Sequence, residues 1–417
     1  MITDLYDHQL EATYSRFVGL LGSKPWIKVT QDHQRQFAAN PLSKEQITRE
    51  YRVAYGLTHF DQLGMALYET EIWPTVIHAL TFAAQVCELA EEGIEDRSRE
   101  AYIGRVKGAF KNSDDMRALS FEHLTALSLY RQGLRIHWPD DSTGPETYDL
   151  LVTTQDGMEI EVECKSNSAD KGRPIPLQDA TEFLNRLRRQ LPTTLHAGQA
   201  LVVKVRVPQK LPKAHAALDL LVSEVVGALN AGATTTGGNV SVAQKTLDAP
   251  FLLKPQTNEY LKSEIGKLAD REFGTAEGYR IVAYDETSKN VVCIEVASGR
   301  APRIFNALWE TAKHAVQNQM TGRRPGCLVM RMEGLTHEEL IRLASDDPSP
   351  LAVFATKVLT DPRHQHLACL AFISDFELVS LSETQQSEQS ASFVVNQEVG
   401  PYALLRLGQL LQGRSIG

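Results

Sequence analysis

The chain has 417 residues, of which 42% are hydrophobic and 23% charged, and this composition is typical of a globular protein with about two or three domains. Its formal net charge of −9 argues against a protein that coats nucleic acid or anionic membranes without selectivity, so any polyanion contact must be local. No stretch approaches the roughly 20 apolar residues of a membrane helix, and the N-terminus lacks the pattern of a signal or transit peptide, so we expect a cytoplasmic protein with no membrane contact.

The sequence predicts an α/β protein in three regions. Residues 1–112 are rich in Ala, Leu, Gln and Glu, and helical spacing of their apolar positions predicts a helical N-terminal region. Residues 113–210 predict a helix, three short strands, a second helix and a fourth strand, in that order. Residues 211–417 predict an α/β C-terminal region, in which the polar run 382–392 is expected to be a loop and 402–411 a closing helix.

The first helix of the middle region is expected from about residue 115 to residue 132. Asn112, Ser113 and Asp114 offer N-caps, and Gly133 suits the left-handed residue that ends many helices. Glu122 falls on the apolar stripe of this helix. A carboxylate on a core-facing stripe is costly unless it is paired or bound to a cation.

Two strands of the middle region form a predicted hairpin. They span residues 148–154 and 158–165, and Asp156-Gly157 between them is a strong hairpin signal. A three-residue loop sets Asp149 opposite Glu163, and a two-residue loop keeps the two carboxylates neighbours. Along the second strand one face carries like charges that repel each other unless a cation lies beside them, and the residues of this face are Glu159, Glu161, Glu163 and Lys165.

This set of residues resembles the PD-(D/E)xK nuclease superfamily, which has a restriction-endonuclease-like fold. The resemblance covers residues 113–208 and consists of Asp149, Glu163-Cys164-Lys165 and the order of a helix, three strands, a helix and a strand. It implies that an αβββαβ nuclease core occupies about residues 113–210.

The resemblance also implies a role for each residue. In the family, Asp149 and Glu163 would bind one or two Mg²⁺ (or Mn²⁺) ions together with the backbone carbonyl of Cys164. Glu122 matches a glutamate on the first helix that completes the site in many members. Lys165 would position the attacking water and stabilise charge on the phosphate, and this fits a lysine whose ordinary pKa is about 10.4.

The chain departs from the family pattern at the proline-aspartate pair. Asp149 follows Thr147-Tyr148, whereas a literal Pro139-Asp140 lies upstream in a predicted loop. We favour Asp149 as the ligand because it lies in a strand with a defined partner, and Asp140 is the alternative.

A local excess of basic residues follows the hairpin. No Asp or Glu occurs between Phe183 and Leu218, in contrast to the acidic chain as a whole. These basic residues predict a surface that tracks phosphates beside the site, and the alternative is a solvated basic face. The predicted nucleic-acid-binding residues are Lys171, Arg173, Arg186, Arg188, Arg189, Lys204 and Arg206.

The C-terminal region contains a second copy of part of the pattern. A strand pair across residues 279–297, a helix from 302 and a strand at 327–332 repeat the order of hairpin, helix and strand. Glu295-Val296-Ala297 stands where the first copy has Glu163-Cys164-Lys165. We favour an ordinary α/β unit for this region, and the alternative is a degenerate second nuclease-like unit.

The resemblance therefore implies a Mg²⁺-dependent hydrolase, an endonuclease acting on DNA, with restriction or antiviral defence as the expected setting and repair or mobile-element processing as the alternative. RNA, single strands and exonuclease action stay open, as do sequence preference, a homo-oligomer and a separate motor subunit as partner. The alternative from another class is a catalytically idle nuclease-like module that binds nucleic acid or a partner protein.

Overall fold

The structure is a computed structural model that describes residues 2–40, 43–68, 70–94, 96–139, 147–191, 195–235, 239–255, 257–382 and 385–412. Its helices are α1 Leu10–Leu21, α2 Pro25–Ala39, α3 Ser43–Glu50, α4 Arg52–Leu63, α5 Trp73–Glu88, α6 Asp96–Ala109, α7 Ser113–Tyr130, α8 Leu177–Gln190, α9 His215–Asn230, α10 Asn258–Phe273, α11 Ile304–His314, α12 His337–Ser345 and α13 Pro350–Leu359. Among the described residues, no helix is long and apolar enough to cross a membrane.

The strands form three sheets, two of them mixed. The strands are β1 Ile2–Tyr6, β2 Arg135–His137, β3 Leu150–Thr153, β4 Glu159–Asn167, β5 Gln199–Val207, β6 Ser241–Asp248, β7 Tyr279–Asp285, β8 Asn290–Ser298, β9 Gly326–Met332, β10 Leu367–Ile373, β11 Glu377–Ser382, β12 Gln385–Gln389 and β13 Ser392–Asn396. The α/β class predicted from the sequence is confirmed.

The chain divides into two compact units. The first contains residues 1–34, 47–171 and 305–417, and the second contains residues 35–46 and 172–304. The second unit is therefore largely an insertion between β4 and α11. These boundaries differ from the predicted divisions at residues 112 and 210, because the inserted unit begins inside the segment assigned to the nuclease core.

The first unit is built around a six-stranded sheet in the order β13-β10-β9-β4-β3-β2. Strands β2, β3 and β4 are antiparallel neighbours, and β4 is parallel to β9, which is parallel to β10. Helices α5 and α7 contribute to the core on one face, and α13 to the core on the other. All residues of β10 are buried, as expected of a parallel strand covered on both faces.

The second unit is built around a four-stranded sheet in the order β6-β5-β8-β7. Strands β7 and β8 form an antiparallel hairpin, and β8 is parallel to β5. One core of this unit includes apolar side chains of α8 and α9, and another those of α10.

The predicted completion of the nuclease core is wrong in one respect. The sequence pattern predicts that α8 and β5 follow the first hairpin in one sheet, but β5 lies beside β8 in the second unit. The strand parallel to β4 is β9, preceded by α11, and these are the elements that the pattern assigns to the second copy. A strand that lies parallel to a hairpin must be reached through a crossover, which here is a helix. Both α8 with β5 and α11 with β9 have this form, so their spacing in the sequence alone assigns them to the wrong hairpins.

Three smaller predictions are also wrong. The polar run after residue 382 contains β12, which pairs with β1 and β11. The N-terminal region, expected to be helical, begins with the strand β1. Residues 402–411 form two short 3₁₀ turns instead of one helix. The first two errors have one cause, because β1 and β12 pair with each other although they are distant in the sequence. The backbone hydrogen bonds of this pairing leave no pattern in the side chains.

A close approach of α4 and α5 yields a stability prediction. A Cβ atom on Gly56 would lie 2.4 Å from the Thr75 carbonyl oxygen and 2.5 Å from the Ala79 Cβ, whereas a Cβ on Gly104 of α6 would meet no atom within 4 Å. Gly56→Ala should therefore lower the free energy of unfolding by about 1–3 kcal/mol. Gly104→Ala should raise it by up to about 1 kcal/mol, because alanine favours the helix. Urea unfolding of both variants measures the difference, and shifts of the same sign would contradict the packing argument.

Candidate active site

The hairpin of β3 and β4 brings Asp149 and Glu163 together. Leu150 pairs with Val162 and Thr153 with Glu159, so the register continued by one residue sets Asp149 opposite Glu163, as predicted. Asp149 lies one residue before β3 begins, although the predicted strand included it.

Each of these carboxylates accepts a hydrogen bond from the backbone of the hairpin. The Asp149 Oδ2 accepts from the Cys164 N–H at 2.8 Å, and the Glu163 Oε2 accepts from the Asp149 N–H at 3.2 Å. Glu163 has no solvent exposure. Backbone donors partly compensate the loss of water around buried carboxylates, and they hold both side chains against the backbone of the β3–β4 hairpin.

Helix α7 contributes the third acid. Asn112 caps the helix by accepting from the Asp114 N–H, as predicted, and Glu122 is only 3% exposed. The guanidinium of Arg105 on α6 lies 2.7 Å from Glu122. Arg105 was not predicted as a site residue, because its contact joins two helices and leaves no periodic signal in the sequence.

Burial and the charge of Asp149 shift the pKa values of the two glutamates in the same direction. Burial, followed by the negative charge of Asp149, raises the pKa of Glu122 to about 8, although Arg105 and Lys165 oppose the shift. Burial and Asp149 likewise raise the pKa of Glu163 to about 8. Burial also raises the pKa of Asp149 itself, against the attraction of Lys165. The mutual influence of these charges indicates that Glu122, Asp149, Glu163 and Lys165 form one electrostatic cluster, which we call the acidic cluster.

Lys165 is the cation of the acidic cluster. Its ammonium group is paired with Glu163, and its side chain is 22% exposed. Burial alone would lower the pKa of Lys165, but Glu163 and Asp149 outweigh burial and raise it. Lys165 is therefore charged at neutral pH and reaches solvent, whereas Glu163 does not.

The glutamates along β4 have different partners, which offset their like charges. Glu161 is fully buried and accepts from the Thr321 N–H at 2.8 Å, and Arg324 lies 3.5 Å from it. Arg324 also lies 2.8 Å from Glu159. Glu163 is thus the acid of this strand that joins Asp149, and no pattern in the sequence indicates Arg324 as the partner of the other two.

The predicted nucleic-acid-binding residues are divided between the units. Lys171 belongs to the first unit, and the others, from Arg173 to Arg206, belong to the second. Arg186 lies 2.6 Å from Glu182 and 2.5 Å from Asp219, two acids just outside the acid-free segment. Internal partners therefore hold part of this basic charge, and the predicted phosphate-tracking surface stays a prediction.

Acidic residues of the second unit also pair with one lysine and one arginine of β5. Lys204 lies 3.6 Å from Glu295, and Arg206 lies 2.9 Å from Glu277. Arg188 and Arg189 are exposed near the end of α8. The alternative metal ligand, Asp140, lies outside the described residues.

The donor chemistry of the acidic cluster fits a hard divalent cation. It offers carboxylate oxygens from Glu122, Asp149 and Glu163, whose crowding a cation would relieve, and the Cys164 side chain is buried, so this residue would contribute only its carbonyl. In the part of the chain that the structure describes, no three His, Cys, Asp or Glu side chains are arranged to hold a metal ion. In this structure, Lys165 and Arg105 offset part of the negative charge of the acidic cluster.

Comparisons of the chain with protein-family models, with curated proteins and with solved structures gave no match. A functional assignment therefore depends on the chemistry of the acidic cluster and on the topology around it.

The raised pKa values predict how stability depends on pH in the absence of metal. Between the usual glutamate pKa of 4.5 and about 8, the folded protein keeps protons that the unfolded chain has released. The free energy of unfolding should therefore fall as pH rises through this window. Glu163→Gln should flatten the profile and raise stability near pH 8 by about 1–3 kcal/mol. Urea unfolding in EDTA across this pH range measures both effects.

The control for this prediction is Glu295→Gln in the second unit. Glu295 is buried and paired with Arg280 at 2.8 Å, so removing its charge takes away one of the two carboxylates that hold Arg280 and leaves only the more exposed Asp270. This variant should be destabilised across the same pH range. If Glu163→Gln behaves like Glu295→Gln, repulsion does not dominate at Glu163.

Proposed function

We propose that the chain is a metal-dependent nuclease that hydrolyses phosphodiester bonds, with DNA as its substrate. The observation that carries the proposal is the acidic cluster: two buried glutamates and the half-buried Asp149, which repels both of them, beside a charged lysine that reaches solvent. Burying like charges is unfavourable for folding, and such arrangements are common where a site must bind a cation.

The topology of the first unit supports the proposal. With the insertion set aside, α7 is followed by β2, β3, β4, α11 and β9, and β9 is parallel to β4. This is the αβββαβ order of the restriction-endonuclease-like core that the sequence resembles. The acids stand on the first helix, before the second strand and on the third strand of that order.

Each side chain has a role in the proposed reaction. Asp149, Glu163 and Glu122 would hold Mg²⁺ or Mn²⁺ with the Cys164 carbonyl, and a bound divalent ion supplies a hydroxide-like nucleophile and neutralises phosphate oxygens. Arg105 would release Glu122 to the ion. Lys165 would donate hydrogen bonds to the attacking water or to the phosphate as negative charge develops, since its raised pKa disfavours proton abstraction.

Two variants separate metal binding from catalysis. Asp149→Ala should lose both cleavage and stabilisation by Mg²⁺, because a ligand oxygen is removed. Lys165→Ala should keep the stabilisation, which is about 2.7 kcal/mol when the ion is at a hundred times its dissociation constant, and should lose cleavage at least about a hundredfold. Melting curves with and without Mg²⁺, run beside a cleavage assay, measure both properties.

The control variant is Glu310→Gln, which removes an exposed carboxylate on α11. It should keep cleavage and the Mg²⁺ effect. Full activity and full Mg²⁺ stabilisation in Asp149→Ala would remove Asp149 from the site and make Asp140 the next residue to test.

A second candidate function is a nuclease-like module that binds nucleic acid or a partner protein without hydrolysis. The observation in its favour is that Lys165 and Arg105 already balance two of the acids. Incubation with supercoiled, linear and single-stranded DNA and with RNA, each with Mg²⁺, Mn²⁺ or EDTA, distinguishes the two. Metal-dependent cleavage of any substrate supports the nuclease, and no cleavage of any supports the module.

The basic end of α8 yields a prediction for nucleic acid binding. Replacing Arg188 and Arg189 together with Gln should weaken binding of all sequences alike and reduce the salt slope by up to about 0.9 for each duplex phosphate that the protein no longer neutralises. Arg186→Gln is the control, because Glu182 and Asp219 hold its charge. Fluorescence anisotropy at several salt concentrations in EDTA measures the slopes. Equal slopes for the wild type and the double variant would exclude this part of α8 from the binding surface.

A further inference from the structure

A pocket of about 360 Å³ lies within the second unit, and its lining includes no residue of the acidic cluster. We call it the arginine pocket, because its lining includes Arg173, Arg206 and Arg300, together with Glu277 and Tyr279. Its volume falls in the range of about 300–1,000 Å³ that small-molecule sites occupy.

The arginine pocket lies where two parallel strands end. Arg206 is the penultimate residue of β5, and the lining continues from the end of β8 through residues 299–302. Ligands of open α/β sheets bind in crevices at the carboxyl ends of parallel strands. The position of the pocket is therefore one at which this type of sheet provides a binding site.

Each arginine of the pocket is oriented by a contact inside the second unit. Arg173 lies over the Tyr279 ring at 5.6 Å, Arg206 is 2.9 Å from Glu277, and Arg300 donates to the Gln209 side chain at 2.9 Å. A guanidinium carries its five N–H donors in a planar fork. The pocket thus gathers cationic donors that are held in place before a ligand arrives.

The charge of the lining selects the ligand. Three arginines and one glutamate leave two positive charges among the lining residues. A phosphomonoester carries about −1.5 to −2 charges at neutral pH and matches the planar fork of arginine. Tyr279 adds an aromatic ring, and aromatic rings stack on nucleobases. We propose that the arginine pocket binds the phosphomonoester of a nucleotide, whether free or at the end of a nucleic acid strand.

The chemistry beside the pocket indicates binding without hydrolysis. The hairpin of β7 and β8 sets Arg280 opposite Glu295, where the first unit sets Asp149 opposite Glu163. The Arg280 guanidinium lies 2.8 Å from both Glu295 and Asp270. An internal cation thus takes these carboxylates, and Ala297 stands where the first copy has Lys165.

The test uses the full-length protein in EDTA, so that binding is measured without cleavage. The probes for titration calorimetry are dTMP, thymidine, inorganic phosphate, and oligothymidylate phosphorylated at its 5′ end, at its 3′ end or at neither. We expect dTMP, a phosphorylated strand or both to bind at least about tenfold more tightly than the unphosphorylated counterpart and than inorganic phosphate. A preference for dTMP identifies a free nucleotide as the ligand, and a preference for one phosphorylated end identifies a strand end.

Variants assign that binding to the pocket. Arg173→Gln and Arg300→Gln should each weaken it by about tenfold or more. Arg271→Gln, on α10 with a 68% exposed side chain, should leave it unchanged. Melting curves check that all three variants are folded. The proposal is overturned if phosphorylation makes no difference, if inorganic phosphate binds as tightly as the nucleotide, or if the pocket variants bind like Arg271→Gln. None of these outcomes bears on cleavage by the acidic cluster, which the separate Mg²⁺ assays test.

Discussion

The burial of Glu163 beside Asp149 is the constraint on which the first unit depends. The buried Glu163 and the half-buried Asp149 need hydrogen-bond donors, and the hairpin supplies them through the N–H groups of Asp149 and Cys164. Those two bonds require the register of β3 and β4, and that register requires the short turn between the strands. Helix α7 adds Glu122 to the same surroundings, and the cations Lys165 and Arg105 then become necessary to make the charge tolerable. The arrangement of the acidic cluster and the stability of the β3–β4 hairpin therefore depend on each other.

The second unit shows how the same hairpin plan is neutralised. Arg280 occupies the position opposite its buried glutamate, so attraction replaces the repulsion found in the first unit. A buried ion pair needs no external ion, whereas a buried group of acids gains from one. On the proposed function, the difference between one aspartate and one arginine separates a hairpin that would hold a metal ion from a hairpin that forms a structural ion pair.

The parts of the site that the sequence predicts are those that depend on local geometry. Alternation along β4 and the Asp156-Gly157 turn predict the pairing of Asp149 and Glu163, and helical spacing predicts that Glu122 is buried. The contacts of Arg105 and Arg324 are not predicted, because long side chains reach partners that no period relates to them. The choice between β5 and β9 as the neighbour of β4 is also beyond local patterns. Both segments follow a helix and both are apolar, so only the tertiary structure decides between them.

The inserted unit begins and ends at adjacent points of the backbone. Arg303 donates its N–H to the carbonyl oxygen of Gly172 at 2.8 Å, and a Cβ on Gly172 would lie 2.7 Å from the Arg303 backbone. Gly172 has a φ of +77°, so glycine suits this crossing in both conformation and space. Closing a loop becomes entropically more costly as the loop lengthens, but a folded insert whose ends touch closes that loop by its own folding. Once the second unit is folded, the residues between β4 and α11 therefore act like a tight turn for the pairing of β4 with β9.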